Sequence, residues 1–489
     1  MKRFLQNHWI FIIIFIAVFA LRLFRIETLT SFQGDQGRDL NVIFDMIVNR
    51  DPTLLGPPST FGPFQGPLYY YLLIPGLLFS RLEPIGGLIT AVTFNMLGLV
   101  ALYIFCVSFF NKKIALISSF LFAVSPLNIE IGRTLLNAYF GMPFFITALF
   151  VLIYIFVYKK VNYVVLLGFF AGILTQIHYN FAPFFLFCLL LPFWFSHINK
   201  KTYFSQFLGM FTLMTLPQIL FELRHEFLNT NLLITSLKTG HAMGQFSFSY
   251  ISFFFSTIGY LLGWENQWYG FFVLLPILAT MKFSWKNYSE VQKKILKILS
   301  FYTLFFIFLA IASRVKITYP AYHYYMSLMP ILFIFVSVFL SSLSYKVVYG
   351  ILFGVLVVSM YNMNLFRENG FTMVENWNLV KQKEIAKSIA TDVLGNKKWN
   401  IASVVDGDTQ ALPFRYLVAV SGYKQRGLLF GKPLRVEEYP ATEVLYLVTR
   451  DEKEKVYGYT VWEVASLKPF EIKKEWRIFD FNLYRLERI

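Results

Sequence analysis

The chain has 489 residues, of which 56% are hydrophobic, 19% aromatic and only 15% charged, and its formal net charge is +16. This balance excludes an ordinary soluble globular protein and indicates a polytopic membrane protein. The positive charge is not typical of a nucleic-acid-binding surface, because the basic residues occur in short clusters at the ends of apolar runs. Cys106 and Cys188 both lie inside apolar segments, which argues against a disulfide framework and a cysteine metal site.

Eleven apolar segments are predicted to span a bilayer, which requires about 20 apolar residues per helix. They lie at about 9–24, 86–110, 114–129, 137–158, 161–178, 180–196, 203–221, 267–282, 296–313, 324–343 and 346–362. With these crossings, the short lysine-rich loops all fall on one side, which the positive-inside rule makes cytoplasmic. We therefore expect two further apolar stretches, 67–79 and 246–264, not to cross, and expect 67–79 to be an interfacial helix.

The composition changes after residue 362, where charged residues become frequent. Helical spacing from Trp377 to Leu394 is followed by strand-like runs at Trp399–Val405, Val444–Val448 and Ile478–Leu486, a pattern typical of a small α/β domain. An odd number of crossings places that domain outside the cell. We thus predict a transmembrane domain at 1–362, with a first outer loop at 25–85, and an extracytoplasmic α/β domain at 363–489.

The unusual polar residues of the transmembrane domain are predicted to lie in the outer loops. The main groups are Asp35, Arg38 and Asp39; Glu130 and Arg133; His178; Glu222, Arg224 and His225; and Arg314, Lys316, His323 and Tyr324. A transporter is expected to carry ionisable groups near the middle of the membrane, but the predicted spans are almost free of charge. The pattern favours a reactive site at the outer interface. A transporter or flippase of lipid-linked glycans stays open as an alternative.

These outer residues suit the transfer of a sugar from a lipid phosphate to a hydroxyl group. Asp35, beside Gly34, is the best candidate for the general base that removes the hydroxyl proton. Asp39 shares a face with Asp35 if a helix begins there; it can orient a substrate hydroxyl or a basic partner, or join Asp35 in holding a divalent cation, Mg²⁺ or Mn²⁺. The residues predicted to bind the phosphate or sugar of the donor are Arg38, Arg133, Arg224, His225, His323 and Tyr324.

Several motifs, in their order along the chain, resemble one enzyme family. They are Gly34-Asp-Gln-Gly-Arg-Asp39, Gly62-Pro-Phe-Gln-Gly-Pro-Leu-Tyr-Tyr-Tyr71, Ser125-Pro, Gly132-Arg-Thr-Leu-Leu-Asn137 and Phe221-Glu-Leu-Arg-His-Glu-Phe227. Over roughly residues 1–345, the chain resembles GT-C fold glycosyltransferases of the glycosyltransferase family 39 type, relatives of the protein O-mannosyltransferases and the aminoarabinose transferases.

The resemblance implies that one sugar is transferred, with inversion, from a polyprenyl-phosphate donor to an extracytoplasmic glycan, lipid or protein at the cell membrane. The family's catalytic acid in the first outer loop corresponds to Asp35. The chain departs from the commonest Asp-Glu pair, because Gln36 follows Asp35 and the second acid comes only at Asp39. An oligosaccharyltransferase or ligase that uses a pyrophosphate lipid would share the same outer site and is a further alternative.

Overall fold

The computed structural model describes residues 2–59, 62–239, 249–312, 321–371, 373–393, 398–425 and 443–489. Its transmembrane part is helical. The helices are α1 (Lys2–Leu23), α2 (Ile26–Leu29), α3 (Gly34–Val48), α4 (Leu68–Phe79), α5 (Pro84–Phe109), α6 (Lys112–Val124), α7 (Pro126–Ile131), α8 (Met142–Phe156), α9 (Val164–Ile177), α10 (Ala182–Leu190), α11 (Lys200–Met214), α12 (Leu216–Arg224), α13 (Leu228–Thr239), α14 (Ser249–Leu261), α15 (Gln267–Phe283), α16 (Glu290–Ala312), α17 (Met329–Ser341) and α18 (Tyr345–Met363). Short 3₁₀ helices lie at Asn137–Gly141, Val161–Tyr163, Tyr179–Phe181, Leu191–Trp194, Ser284–Asn287 and Tyr322–Tyr325.

Within the described residues, four helices are individually long and apolar enough to cross a bilayer. They are Pro84–Phe109, Asn137–Phe156, Glu290–Ala312 and Tyr345–Met363. The pair α11 and α12 also qualifies, but its two helices meet at a bend of 66°. Shorter apolar helices occur at Asn7–Leu23, Leu68–Phe79, Val161–Ile177, Tyr179–Trp194, Ile251–Leu261 and Met329–Ser341. Each of the eleven predicted spans falls on one helix or on consecutive helices, and the number of crossings itself stays a prediction.

Two predicted spans are each divided between two α-helices. The predicted span at 114–129 ends as a helix at Val124, and Ser125 then caps α7 by accepting a hydrogen bond of 3.3 Å from the Asn128 backbone N–H. The predicted span at 203–221 breaks at Thr215, between α11 and α12. Pro126 and Pro217 explain both breaks, because proline cannot continue a helix but fits its first turn.

The two apolar stretches that were expected not to cross also contain helices. The stretch 67–79 forms α4, and residues 249–264 of the second stretch contain α14, while 246–248 lie outside the described residues. Arg314 and Lys316, predicted in an outer loop, also lie outside the described residues. Whether α4 and α14 reach across a bilayer stays a prediction.

The C-terminal part forms a small sheet covered by helices. Its elements are α19 (Leu379–Asp392), β1 (Trp399–Ser403), α20 (Leu412–Gln425), β2 (Val444–Thr449), α21 (Lys453–Val456), α22 (Trp462–Ala465), β3 (Phe470–Ile478) and β4 (Phe481–Arg488). The strand order is β1-β2-β4-β3, with β1 and β2 parallel and the other pairs antiparallel. All six residues of β2 are buried, as expected for a central strand.

The prediction of one strand at Ile478–Leu486 was wrong in its bounds. Ile478 ends β3, the chain turns at Phe479, whose φ is +56°, and β4 begins at Phe481. The pattern also missed β3, because five of its nine residues are charged. An edge strand needs few apolar residues, since it can carry charges on its exposed face.

Candidate active site

Helix α3 begins at Gly34 because the residues around its first turn cap it. The Gln33 side chain accepts from the Gln36 backbone N–H, and the Gln33 backbone N–H donates to Gln36 Oε1 at 2.9 Å, which forms a capping box. Gln36 Nε2 also donates to the backbone carbonyl of Leu135 at 3.2 Å. Gln36 is therefore a structural residue of the helix start, and an acid at this position could not donate the bond to Leu135.

The polar centre of the first outer loop is the Arg38 cluster, formed by Asp35, Arg38, Asp39 and Tyr70. Arg38 Nη1 donates to Asp35 Oδ1 at 2.7 Å, and its Nε and Nη2 donate to Asp39 Oδ1 at 2.9 and 2.8 Å. The Tyr70 hydroxyl from α4 donates to the same Asp39 oxygen at 3.1 Å. The expected helix thus exists, and a single guanidinium joins both carboxylates.

The two carboxylates differ sharply in their contact with water. The Asp35 side chain is 63% exposed, whereas that of Asp39 is only 2% exposed. Burial raises the pKa of Asp39 to about 6, although its contacts with Arg38 and Tyr70 lower it. Asp35 lies in the first turn of α3, where the helix dipole favours a negative charge. Asp35 is the carboxylate that a substrate can reach.

His323 is the predicted donor-binding residue that the fold brings toward Asp35 from far along the chain. Burial lowers the pKa of His323 to about 4, while the negative charge of nearby Asp35 raises it. The Asn180 side chain donates to the His323 carbonyl, and the Tyr324 ring centre lies 4.2 Å from the His323 ring centre. The imidazole of His323 is therefore neutral near pH 7 and can hydrogen-bond an uncharged sugar group.

Arg133 belongs to a separate, closed group, the Arg133 cluster, which consists of Glu130, Arg133, Tyr260 and Arg367. Arg133 is 2% exposed and its Nη2 donates to the Leu21 carbonyl at 2.7 Å. Glu130 accepts from the Tyr260 hydroxyl at 2.6 Å and from Arg367 Nη2 at 3.3 Å. In this arrangement the Arg133 guanidinium is directed to the end of α1 and not to Asp35.

Arg224 and His225 lie at the exposed end of α12. His225 Nδ1 is 2.9 Å from the Phe221 carbonyl, and the two rings stack with centres 4.0 Å apart. Within the described residues, no hydrogen bond or ion pair joins either side chain to the Arg38 cluster. Their predicted role in donor binding stays a prediction.

Tyr70 is a site residue that the sequence pattern did not reveal. The triplet Tyr69–Tyr71 is typical of an aromatic belt at a membrane surface, yet the Tyr70 hydroxyl is buried against Asp39. One sequence feature could have pointed to Tyr70: it lies in the predicted first outer loop with the two acids, in the helix that begins directly after Gly66 and Pro67. Periodicity alone could not show that this hydroxyl meets a carboxylate 31 residues earlier.

Asp35 and Asp39 were also predicted as possible ligands of a divalent cation. Among the described residues, no group of three or more histidine, cysteine, aspartate or glutamate side chains is arranged to hold a metal ion. Arg38 occupies the position between the two carboxylates and supplies the positive charge there. The predicted Mg²⁺ or Mn²⁺ stays an open alternative.

The sequence matches no protein-family model and no curated protein. The complete chain is nevertheless similar to solved structures. ArnT from Cupriavidus metallidurans in the apo state is 13% identical with a TM-score of 0.64, and 98% of each chain is covered. ArnT bound to undecaprenyl phosphate gives the same TM-score and identity, with 97% of this chain and 98% of that chain covered.

This chain has the GT-C fold. A second GT-C structure, the archaeal oligosaccharyltransferase AglB from Archaeoglobus fulgidus in complex with an inhibitory peptide and a dolichol-phosphate, is 11% identical with a TM-score of 0.53. That match covers 98% of this chain and 74% of AglB. The fold predicted from the motifs is confirmed: a multi-pass helical GT-C protein with a small C-terminal α/β domain.

Proposed function

We propose that this GT-C protein is a membrane glycosyltransferase that transfers one sugar from a polyprenyl-phosphate donor to an acceptor hydroxyl on the extracytoplasmic face. The observation that carries this proposal is the exposed carboxylate of Asp35, which Arg38 holds at the start of α3. The ArnT structure with the same fold binds undecaprenyl phosphate, a lipid of the proposed donor class. The distribution of lysines supports a multi-pass protein of the cell membrane, with its active site and C-terminal domain outside.

In the proposed reaction, Asp35 acts as general base. The acceptor oxygen attacks the anomeric carbon, its proton passes to the Asp35 carboxylate, and the bond between the anomeric carbon and the phosphate oxygen breaks. The bonding electrons leave with the lipid phosphate, and attack from the opposite side inverts the configuration. A phosphate leaving group needs cationic stabilisation more than protonation, unlike the leaving group in the two-carboxylate arrangement of glycosidases.

The neighbours of Asp35 have supporting roles in this proposal. The buried Asp39 fixes the Arg38 guanidinium, which in turn fixes Asp35 Oδ1. Arg38 contacts Asp35, the charge of Asp35 acts on His323, and the Tyr324 ring packs on the His323 ring, which supports these three as the proposed contacts for the phosphate or sugar of the donor. Arg133, Arg224 and His225 are retained as donor contacts of lower priority, because their present contacts lie elsewhere.

A second candidate function follows from the similarity to AglB, an oligosaccharyltransferase. In that case the chain would transfer a preassembled glycan and would use a pyrophosphate lipid donor. The higher TM-score to ArnT, 0.64 against 0.53, and a match that covers 98% of each chain support the first candidate. The donor phosphate therefore separates the two functions experimentally.

The test is single-turnover transfer by the reconstituted protein, with polyprenyl-monophosphate and polyprenyl-pyrophosphate sugars as donors and membrane extract as acceptor. We expect transfer from the monophosphate donor and a loss of about 100- to 10,000-fold in Asp35→Asn, the usual contribution of a general base. Asp35→Asn should fold normally, because its side chain is 63% exposed. Wild-type rates in this variant would exclude Asp35 as the base. Donor movement across the bilayer without cleavage would instead support a flippase.

A further inference from the structure

Helix α3 is packed on two sides by elements that are far apart in sequence. On one side lies α4, through the hydrogen bond between Tyr70 and Asp39. On the other side lies α20 of the C-terminal domain. There a Cβ atom added to Gly37 would lie 2.3 Å from the Pro413 backbone nitrogen and 2.4 Å from the Leu412 carbonyl carbon. The two backbones are thus in direct contact, and only glycine at position 37 permits this approach.

Hydrogen bonds reinforce the contact between α3 and α20. Asn41 Nδ2 donates to the Gly37 carbonyl at 2.8 Å within α3 and to the Leu412 carbonyl at 3.0 Å in α20. One turn further along α20, the Tyr416 hydroxyl donates to the Leu82 carbonyl at 2.6 Å, and the Tyr416 side chain is fully buried. The partly buried Asn41 bond therefore adds to the close backbone packing between α3 and α20, while the buried Tyr416 bond joins α20 to the segment that follows α4.

The start of α20 also lies beside the residue that precedes Asp35. A Cβ atom at Gly34 would lie 3.3 Å from Asp408 Cγ and Oδ2. Asp408 Oδ2 accepts the Leu412 backbone N–H at 2.9 Å and so caps α20. The loop after β1, which contains Asp408, therefore reaches the first turn of α3.

We propose that α20 is a positioning element for Asp35, with Gly37 and Asn41 of α3 as its contact residues, and that the C-terminal domain is thereby part of the catalytic unit. This inference rests on the proposed function, in which Asp35 is the base. A 15-residue helix is marginally stable by itself, so packing must fix its place. A displacement of about 1 Å at a reacting group can lower the rate about 100-fold.

Gly37→Ala tests this role, because the added methyl group forces α3 away from the backbone of Leu412 and Pro413. Gly350→Ala in α18 is the matched control, since a Cβ there meets no atom within 4 Å. Both changes replace a helical glycine by alanine and so share the same gain in helix propensity. Transfer kinetics and amide hydrogen exchange of the 33–48 segment are measured in the full-length, reconstituted protein.

We expect Gly37→Ala to lower kcat by about 100-fold and to raise the KM for the donor much less, because misplacement of the base affects the reaction step, whereas Arg38 is only one of the proposed donor contacts. Amide exchange in α3 should accelerate. Asn41→Ala, which removes the bond to Leu412 together with the bond to Gly37 inside α3, should lower kcat by about tenfold. Gly350→Ala should match the wild type in both measurements. A general loss of folding would instead lower the fraction of active protein and accelerate amide exchange throughout the chain, not only in α3.

The outcomes separate this inference from the function on which it rests. If Gly37→Ala retains wild-type kcat and wild-type exchange, α20 does not position Asp35, while transferase activity stands. If the wild type transfers no sugar from any donor, the proposed function fails and the catalytic role of the contact fails with it. In that case, accelerated amide exchange in Gly37→Ala would show that α20 stabilises α3 but not that it positions a catalytic base, so the positioning role would be overturned as well.

Discussion

The Arg38 cluster and the Arg133 cluster contain the same kinds of side chain in different surroundings. Each joins arginine, carboxylate and tyrosine groups, and each lies in or beside a segment predicted as an outer loop. In the Arg38 cluster, one carboxylate, Asp35, is 63% exposed. In the Arg133 cluster, the carboxylate of Glu130 is 7% exposed and both of its oxygens accept hydrogen bonds from the protein.

This difference separates a group that can react from a group that can only stabilise. A base must reach the proton of its substrate, which Asp35 can do and the enclosed Glu130 cannot. The buried acid Asp39 resembles Glu130 in its burial, and its role in the Arg38 cluster is to hold the arginine. Exposure, more than residue type, is the reason why the proposed chemistry is placed at the Arg38 cluster.

Arg38→Met gives the largest expected effect, because it leaves the buried Asp39 carboxylate without its cation. We expect the free energy of unfolding to fall by about 3–5 kcal/mol, together with loss of transfer activity. Reversible unfolding in detergent provides the measurement. Arg224→Met is the matched control for stability, since Arg224 is exposed and its replacement should change the free energy by less than about 0.5 kcal/mol. Equal effects of the two changes would mean that the Asp39 pair contributes no stability.

Glu130→Gln should weaken the protein without affecting its chemistry. The amide keeps the shape of the side chain but leaves the Arg367 guanidinium without its buried negative partner. We expect the free energy of unfolding to fall by about 1–3 kcal/mol, with the kcat of the folded fraction unchanged. Glu454→Gln, at an exposed position, is the control. A kcat reduced as strongly as in Asp35→Asn would show that the Arg133 cluster takes part in the reaction.

The pH dependence of kcat/KM should reflect the protonation of Asp39, the buried acid of the Arg38 cluster. As the pH falls through about 6, Asp39 takes up a proton and no longer balances the charge of Arg38. We expect kcat/KM to fall on this acid side, approaching a tenfold loss per pH unit. Asp39→Asn, which is neutral at every pH, should have a low kcat/KM throughout and should lack this transition. The measurement is kcat/KM between about pH 5 and pH 8 for both proteins. An unchanged transition in Asp39→Asn would assign it to another group.

Much of the fold could be predicted because the membrane imposes strong patterns on a sequence. Apolar segments, lysine-rich loops and the change in composition after residue 362 all follow from the transfer of side chains between water and lipid. Features that depend on local exceptions were missed, such as the breaks at Ser125 and Thr215 and the charged strand β3. Whether the chain crosses eleven times stays a prediction.

The candidate site was predictable only in part. Asp35, Arg38 and Asp39 lie within one turn of a helix, so their spacing alone brings them together, as the contacts of Arg38 show. His323 approaches the same acid from a distant segment, and Tyr70 completes the cluster from α4. Arg133 has the same residue type as Arg38, but its guanidinium binds the end of α1. Sequence spacing carries no information on such long-range neighbours.

The sequence by itself determined that this is a membrane protein and that Asp35 and Asp39 share one helical face, because these properties depend on composition and short-range periodicity. Only the tertiary structure decided which acid is exposed, which arginine serves it, and that α20 packs against α3 across 371 residues of sequence. Burial and contact between distant segments arise from the packing of the complete chain, and the same residue type has a different charge environment and a different role in each place.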